Sequence, residues 1–284
     1  MPRIELALHN TAGRNRLVAA ALLLTGMAAA ACGTAVPTPE PARLTLAASS
    51  SAQPLARELA AAYQAAFPHL TVDVLPLANE AAAAQAVLAG RADAALAAGL
   101  PEAPAGLRAS QVASDALAIV VHRDRALDNL TGQQARDLFH GLLRTWDELE
   151  EAATADTVQV LTREPGAGPR TVLVDALLGA RPLTPTAIVL PDDSQVLARM
   201  AGDRNAVAVL PAAWLDDQVR AVTIDGRGHD WVARQWPDYP LELPIYLLTA
   251  DAPQADVAAL AGFLLGPAGQ QVVSRRYAPA PSYP

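Results

Sequence analysis

The chain contains no lysine and a single cysteine among its 284 residues. All 21 basic groups are therefore arginines, a bias that accompanies the high alanine content and reflects genomic composition. One thiol cannot close an intrachain disulfide, so the fold has to be held by core burial. Aromatic residues are scarce, at 4%. Two of the tryptophans, Trp231 and Trp236, flank a proline-rich segment, where they would close a core edge or sit at a lobe junction. The histidines that follow the N-terminal segment (His69, His122, His140 and His229) stand apart, without the spacing of metal ligands. Equally missing are a Gly-x-Ser-x-Gly elbow, a P-loop and a His-Glu-x-x-His pair. These gaps leave no enzyme chemistry, metal or cofactor to expect. The acidic pairs Asp192-Asp193 and Asp216-Asp217 read as solvated turns or helix caps.

Positive charge is short as well. The formal net charge is −8, and residues 1–31 hold three Arg against one Glu. The remainder therefore carries 18 basic and 28 acidic groups, a net −10. Such a surface excludes nucleic acid and an anionic membrane face as partners.

What is present begins with an export signature. Arg3, Arg14 and Arg16 precede an apolar run from Leu17 to Ala31 that ends at Cys32-Gly33. At 1.5 Å per residue, this run is too short for a hydrocarbon core of roughly 30 Å. It reads as the apolar region of a signal peptide, residues 1–31. Cys32 follows Ala29-Ala30-Ala31, a pattern similar to a bacterial lipobox with Ala29 in place of the usual leucine. Cys32 is thus the expected lipidation site and the only membrane anchor; ordinary secretion, cut after one of the alanines, is the other reading. Pro37, Pro39 and Pro41 make residues 32–43 an extended tether. About 240 residues follow, ample for two lobes.

Strand and helix signals then alternate. Leu44–Ala47, Leu70–Leu75, Asp93–Ala98, Ala116–His122, Val158–Leu161, Thr186–Leu190, Ala206–Leu210 and Leu243–Leu248 read as strands. Pro54–Ala66, Asn79–Ala89, Thr131–His140, Pro169–Leu178, Ser194–Met200 and Val257–Leu265 read as helices between or after them. This order predicts an α/β fold of two lobes, each a mixed, mostly parallel sheet flanked by helices. Residues 44–122 with 237–284 would form one lobe and 123–236 the other. A cleft between such lobes is a standard ligand site.

One loop stands out. Arg163-Glu164-Pro165-Gly166-Ala167-Gly168-Pro169-Arg170 joins the strand at Val158 to the helix at Pro169. Its glycines permit a tight bend, Pro169 suits a first helical turn, and the flanking arginines favour an anion. A plain connector has the same letters. Ser49, Ser50 and Ser51 precede the helix at Pro54 and would either face the cleft or simply cap that helix. Arg163 is either an oxyanion ligand or one arm of a surface ion pair.

Over residues 44–284 the chain resembles the substrate-binding subunits of bacterial phosphate ABC importers, type II periplasmic binding proteins. Leu44–Pro54 stands where that family has a strand, Gly-Ser-Ser-Thr and a helix. Leu130-Thr131, Leu138-Phe139-His140-Gly141 and Trp146 resemble the family signature "Lt…iF.G…W". The Arg163 loop stands where the family has Arg and Gly-Ser-Gly-Thr, and Gly269-Gln270 with Tyr277-Ala278-Pro279 resembles its closing element. The resemblance implies a monomer binding a small phosphate-like oxyanion between its lobes and delivering it to an ABC permease. Ser49, Ser50, Ser51, Arg163, Gly166, Ala167 and Gly168 would hold the anion.

The sequence departs from that pattern where it would matter. Ala167 and Pro169 replace hydroxyl residues, Asn79-Glu80-Ala81 replaces a second Gly-Ser-Gly turn, and Ala97-Ala98-Gly99 offers no polar side chain. Glu80 would repel an anion if it entered the cleft, or face solvent as a helix N-terminal acid. Three lost contacts at roughly 1–3 kcal/mol each would remove several decades of affinity. Asp192, Asp193, Ser194, Arg170 and Arg199 are the residues available to compensate or to serve another ligand. A degenerate binding-protein fold acting as a sensor or interaction module is the alternative to transport.

Overall fold

The short apolar run from Leu44, broken only by Thr45, becomes a strand that is buried on both faces from Leu46 onward. In the computed structural model the described residues are 42–99, 102–150, 153–227 and 239–280, all within one compact unit, Pro41–Pro284. The signal segment, Cys32, the tether up to Pro41, His229, Trp231 and Trp236 lie outside these residues, whereas Ala42 and Arg43, expected to end the tether, open the first strand. Strand β1 (Ala42–Ser49) pairs in parallel with β2 (Leu70–Leu77) on one side and β3 (Ala94–Ala98) on the other. Helix α1 (Gln53–Ala66) buries Leu55, Ala56, Leu59, Ala60 and Tyr63, the one-faced spacing of an amphipathic helix. Helix α2 (Glu80–Leu88) is capped by the Asn79 side chain, which accepts from the Ala82 N–H at 2.9 Å. Alanine abundance has a structural use here. Ala47, Ala83, Ala86, Ala95 and Ala97 form a small-residue core that lets α2 lie close to the sheet.

Strand β4 (Leu107–His122) is sixteen residues long and pairs with both halves of the sheet. Its first part pairs antiparallel with β10 (Glu242–Ala250), and from Leu117 onward it pairs with β8 (Ala206–Pro211) and β9 (Val219–Ile224). At the handover Asp115 is fully buried, accepting from the Ala116 N–H at 2.8 Å and the Ala213 N–H at 3.1 Å. The main sheet path runs β2-β1-β3-β10-β4-β8-β6-β7, with β6 (Gln159–Arg163) and β7 (Ile188–Leu190) parallel at the far edge. Pairing is thus parallel toward both edges and antiparallel around β10 and β4 in the middle.

Between these strands lie short β5 (Asn129–Leu130), α3 (Gly132–His140), α4 (Gly168–Leu173) and α5 (Asp193–Gly202). The N-cap at Thr131 forms as its sequence suggests, in a capping box with Gln134. Helix α6 (Ala255–Leu265), α7 (Pro267–Val273) and β11 (Ala278–Pro279) complete the described chain.

The fold departs from sequence expectation in three places. The strand expected at Ala116–His122 begins nine residues earlier, because the polar stretch Arg108–Ser114 is ordered by its ladder with β10 and not by an apolar run. Strands β5, β9 and β11 and helix α7 are additions; in β9 the exposed Arg220 breaks the apolar run that marks β8. The helix expected over Pro169–Leu178 is α-helical only to Leu173, then widens into a π-turn over Val174–Leu178.

Candidate functional site

The carboxyl ends of the parallel strands point at one place from both sides, where open α/β sheets place their ligands. From the β1–β2–β3 side of the sheet come Ser49–Ser51 after β1, Asn79-Glu80 after β2 and Ala98-Gly99 at the end of β3. From the β6–β7 side come Arg163 at the end of β6, Gly168 opening α4, and Asp193 opening α5 after β7.

Arg163 is the hub of this seam. Its side chain is only 2% exposed, and Nη1 reaches Asp193 Oδ1 at 2.9 Å. Nη2 donates to the Ala78 carbonyl at 2.8 Å and the Pro191 carbonyl at 2.9 Å, while Nε donates to the Leu190 carbonyl at 3.2 Å. Every nitrogen of the guanidinium is therefore directed at a protein oxygen. Asp193 has no exposed surface, and its second oxygen accepts from the Ser51 hydroxyl at 2.7 Å. Its backbone N–H donates to Ser50 Oγ at 2.8 Å. One carboxylate thus receives a hydroxyl from the β1 side of the sheet and a guanidinium from the β6 side.

Glu80 makes the reciprocal crossing. It is 3% exposed, and Oε2 accepts from the Gly168 N–H at 3.0 Å. Ser49 also hydrogen-bonds the Glu80 carboxyl, and its oxygen accepts from the Ala98 N–H at 3.3 Å. Asn79 Nδ2 adds a contact to Glu164 Oε1 at 3.0 Å. Backbone meets backbone beside these bonds. A Cβ on Gly168 would lie 1.9 Å from the Ala98 carbonyl oxygen, so only glycine allows β3 and α4 to approach this closely.

Of the seven ligand candidates read from sequence, Ser49, Ser50, Ser51, Arg163 and Gly168 are brought together. Ala167 is buried at the N-cap of α4, and Gly166 is an exposed turn residue with φ +88°, out of the seam. The serines do not cap their own helix; no side-chain cap bond forms at Ser49 or Ala52. Nor is Arg163 a surface ion pair. Glu80 does not face solvent but turns inward. Asp193 was legible only as half of an acidic pair, since nothing local marks it as the partner of a residue thirty positions earlier.

The family follows from a match over most of the chain. A family model described as a PBP superfamily domain matches residues 35–267. The chain belongs to the PBP superfamily. Among solved structures of this PBP fold, a protein assigned as a phosphate ABC transporter substrate-binding protein with bound phosphate, from Clostridium perfringens, aligns at TM-score 0.75 and 19% identity. That alignment covers 84% of this chain and 100% of the other. An ABC-type phosphate transport receptor from Vibrio cholerae aligns at TM-score 0.62 and 22% identity, covering 84% and 100%. The regulatory domain of CcmR from Synechocystis, in complex with 2-PG, aligns at 0.56 and 16%, covering 78% and 95%. No protein of curated function matches the sequence. At these identities the likenesses establish the two-lobed fold, which transport receptors and a regulatory domain share.

Burial and neighbouring charge set the electrostatics at the seam of this PBP domain. Burial raises the Glu80 carboxyl to about 7, outweighing the hydrogen bonds from its own backbone and Gly168, and Asp193 pushes the same way. Burial disfavours the Arg163 cation, yet Asp193 and Glu164 more than offset this and its pKa moves up. Glu164 is partly buried, but Asn79, its own backbone and Arg163 hold its carboxyl below the usual range. Arg163 thus meets the carboxylates of Asp193 and Glu164, and Arg170 Nη1 donates to the Arg163 carbonyl at 3.0 Å beside them.

A groove of about 450 Å³ leads from solvent to this cluster, lined by Ser50, Gln53, Arg57, Asp192, Ser194 and Trp214 among others. A larger cavity of about 640 Å³ lies away from the seam. Its buried cation, Arg125, is committed to the Arg204 carbonyl, the Asn205 side chain and the face of Trp146.

Proposed function

We propose that this PBP-superfamily protein is an extracytoplasmic lipoprotein, anchored through Cys32, whose cleft is closed on its own carboxylates. It acts as a sensor or interaction module and does not deliver phosphate. Its lobes would comprise residues 44–122 with 237–284, and 123–236, in a monomeric chain. The observation that supports this reading is the Arg163–Asp193 pair with the Ser51 hydroxyl, which occupies the donors an oxyanion would use.

The second reading is a receptor that hands a small oxyanion to an ABC permease. It draws on the fold shared with the phosphate-binding proteins above, and it requires the lobes to part and Asp193 to leave Arg163. Thermal unfolding of the mature chain in phosphate, sulfate, molybdate and tungstate separates the two. A ligand at a hundred times its dissociation constant adds ~2.7 kcal/mol to stability. The expected result is no anion-specific shift against chloride at equal ionic strength. A saturable phosphate shift would establish the receptor reading instead.

A further inference from the structure

We infer that Asp193 is a built-in ligand, and that the slot it fills is a carboxylate-binding site masked by the chain itself. The inference rests on the self-occupied cleft proposed above and extends it to the class of guest. The slot has complete walls. Ser51 Oγ donates to one oxygen at 2.7 Å, Arg163 Nη1 donates to the other at 2.9 Å, and no part of Asp193 touches solvent. Ser50 Oγ fixes the backbone beneath it by accepting the Asp193 N–H at 2.8 Å. Ser50, whose Oγ accepts the Asp193 N–H, also lines the access groove, so the slot has a path to solvent if the seam loosens.

Geometry and charge select the guest. Two donors meet two oxygens, the demand of a planar carboxylate. A tetrahedral phosphate would bring two further oxygens and a second negative charge toward Glu80 and Glu164. Unpartnered buried oxygens and like charges both disfavour it. In the native chain the tethered carboxylate competes at the high effective concentration of an attached group, so free carboxylates bind only weakly. A guest that does displace Asp193 also cuts its bond to Ser51, so binding is coupled to release of the two lobes.

The test replaces the missing group from solution. Asp193→Ala removes a formate-sized fragment, and Asp193→Gly removes an acetate-sized one. Full mature chains carrying each substitution are unfolded thermally in formate, acetate, phosphate and chloride at equal ionic strength. Formate is expected to raise Tm saturably in the Ala variant and acetate in the Gly variant, by several degrees. Phosphate should act in neither, and no salt should act in the native chain. Adding Ser51→Ala should weaken the response about tenfold or more. If the variants fold only when refolded with the matching carboxylate, the inference stands. It is overturned if neither carboxylate stabilises or refolds them, or if the native chain responds equally. Phosphate acting on the native chain would sink the proposed function without touching this result, because the Asp193 variants are read separately.

Discussion

Replacing Arg163 with alanine should lower the stability of the mature chain by about 3–5 kcal/mol, the usual cost of breaking a buried ion pair from one side. For a domain of this size that is a fall in Tm on the order of 10 °C. The reason is not the lost attraction alone. Asp193 would remain without exposed surface and keep only the Ser51 hydroxyl, while the carbonyls of Ala78, Pro191 and Leu190 would lose their donor. A receptor arginine awaiting a solute behaves oppositely: its removal relieves charge and leaves the unliganded fold as stable as before. Urea unfolding of Arg163→Ala beside the native chain decides between these cases. An unchanged midpoint would show that the seam is not formed in solution. Pairing the substitution with Asp193→Ala should recover part of the loss, since the orphaned carboxylate goes with it.

Stability should rise as pH falls from about 8 to about 5, the reverse of acid-labile behaviour. Glu80 and Asp115 are both raised to about 7 by burial, from ordinary carboxyl values. Between the unfolded and folded pKa the native state binds more protons than the unfolded chain, so stability declines as pH climbs through that window and levels off above it. Each tenfold change in acidity is worth about 1.4 kcal/mol, so each of the two carboxyls contributes a few kcal/mol. Below about pH 4 the trend turns over. Glu164 and Asp192 are held below their usual range in the fold, so their contribution is lost as they protonate. Urea midpoints between about pH 3 and 8 test both limbs. Glu80→Gln, which can keep the bonds to Gly168 and Ser49, should be more stable than the native chain at pH 8 and should flatten the slope. A native profile that is flat over pH 5–8 would show that neither carboxyl titrates as described.

How much of this was legible depended on whether the cause of a structure is local. The capping box at Thr131, the helix face from Leu55 to Tyr63 and the buried run Ala206–Leu210 each carry their signal within a few residues. The Arg163 loop was legible as a strand, a tight bend and a helix start for the same reason. Its partner was not. An aspartate at the first position of a helix looks like any other N-terminal acid, and only the meeting of β6 with α5 turns Asp193 into a ligand. Glu80 illustrates the same limit: the sequence allowed inward or outward, and burial against Gly168 decided it. The polar first half of β4 was missed because its order comes from β10, more than a hundred residues away.

The seam bonds join segments that lie far apart along the chain, as the β4–β10 ladder also does. Ser51 and Asp193 are 142 residues apart, Glu80 and Gly168 are 88, and Asn79 and Glu164 are 85. Contacts this remote close long loops for little local reward, so they belong after the rate-limiting step of folding. Weakening them should leave the refolding rate nearly untouched and appear in the unfolding rate. For a loss of about 3 kcal/mol this is an acceleration of roughly a hundredfold. Stopped-flow measurements on Arg163→Ala would show it as a raised unfolding limb above an unmoved folding limb. The seam would then be a brake on the protein's undoing, setting how long a folded molecule lasts and not how soon one forms.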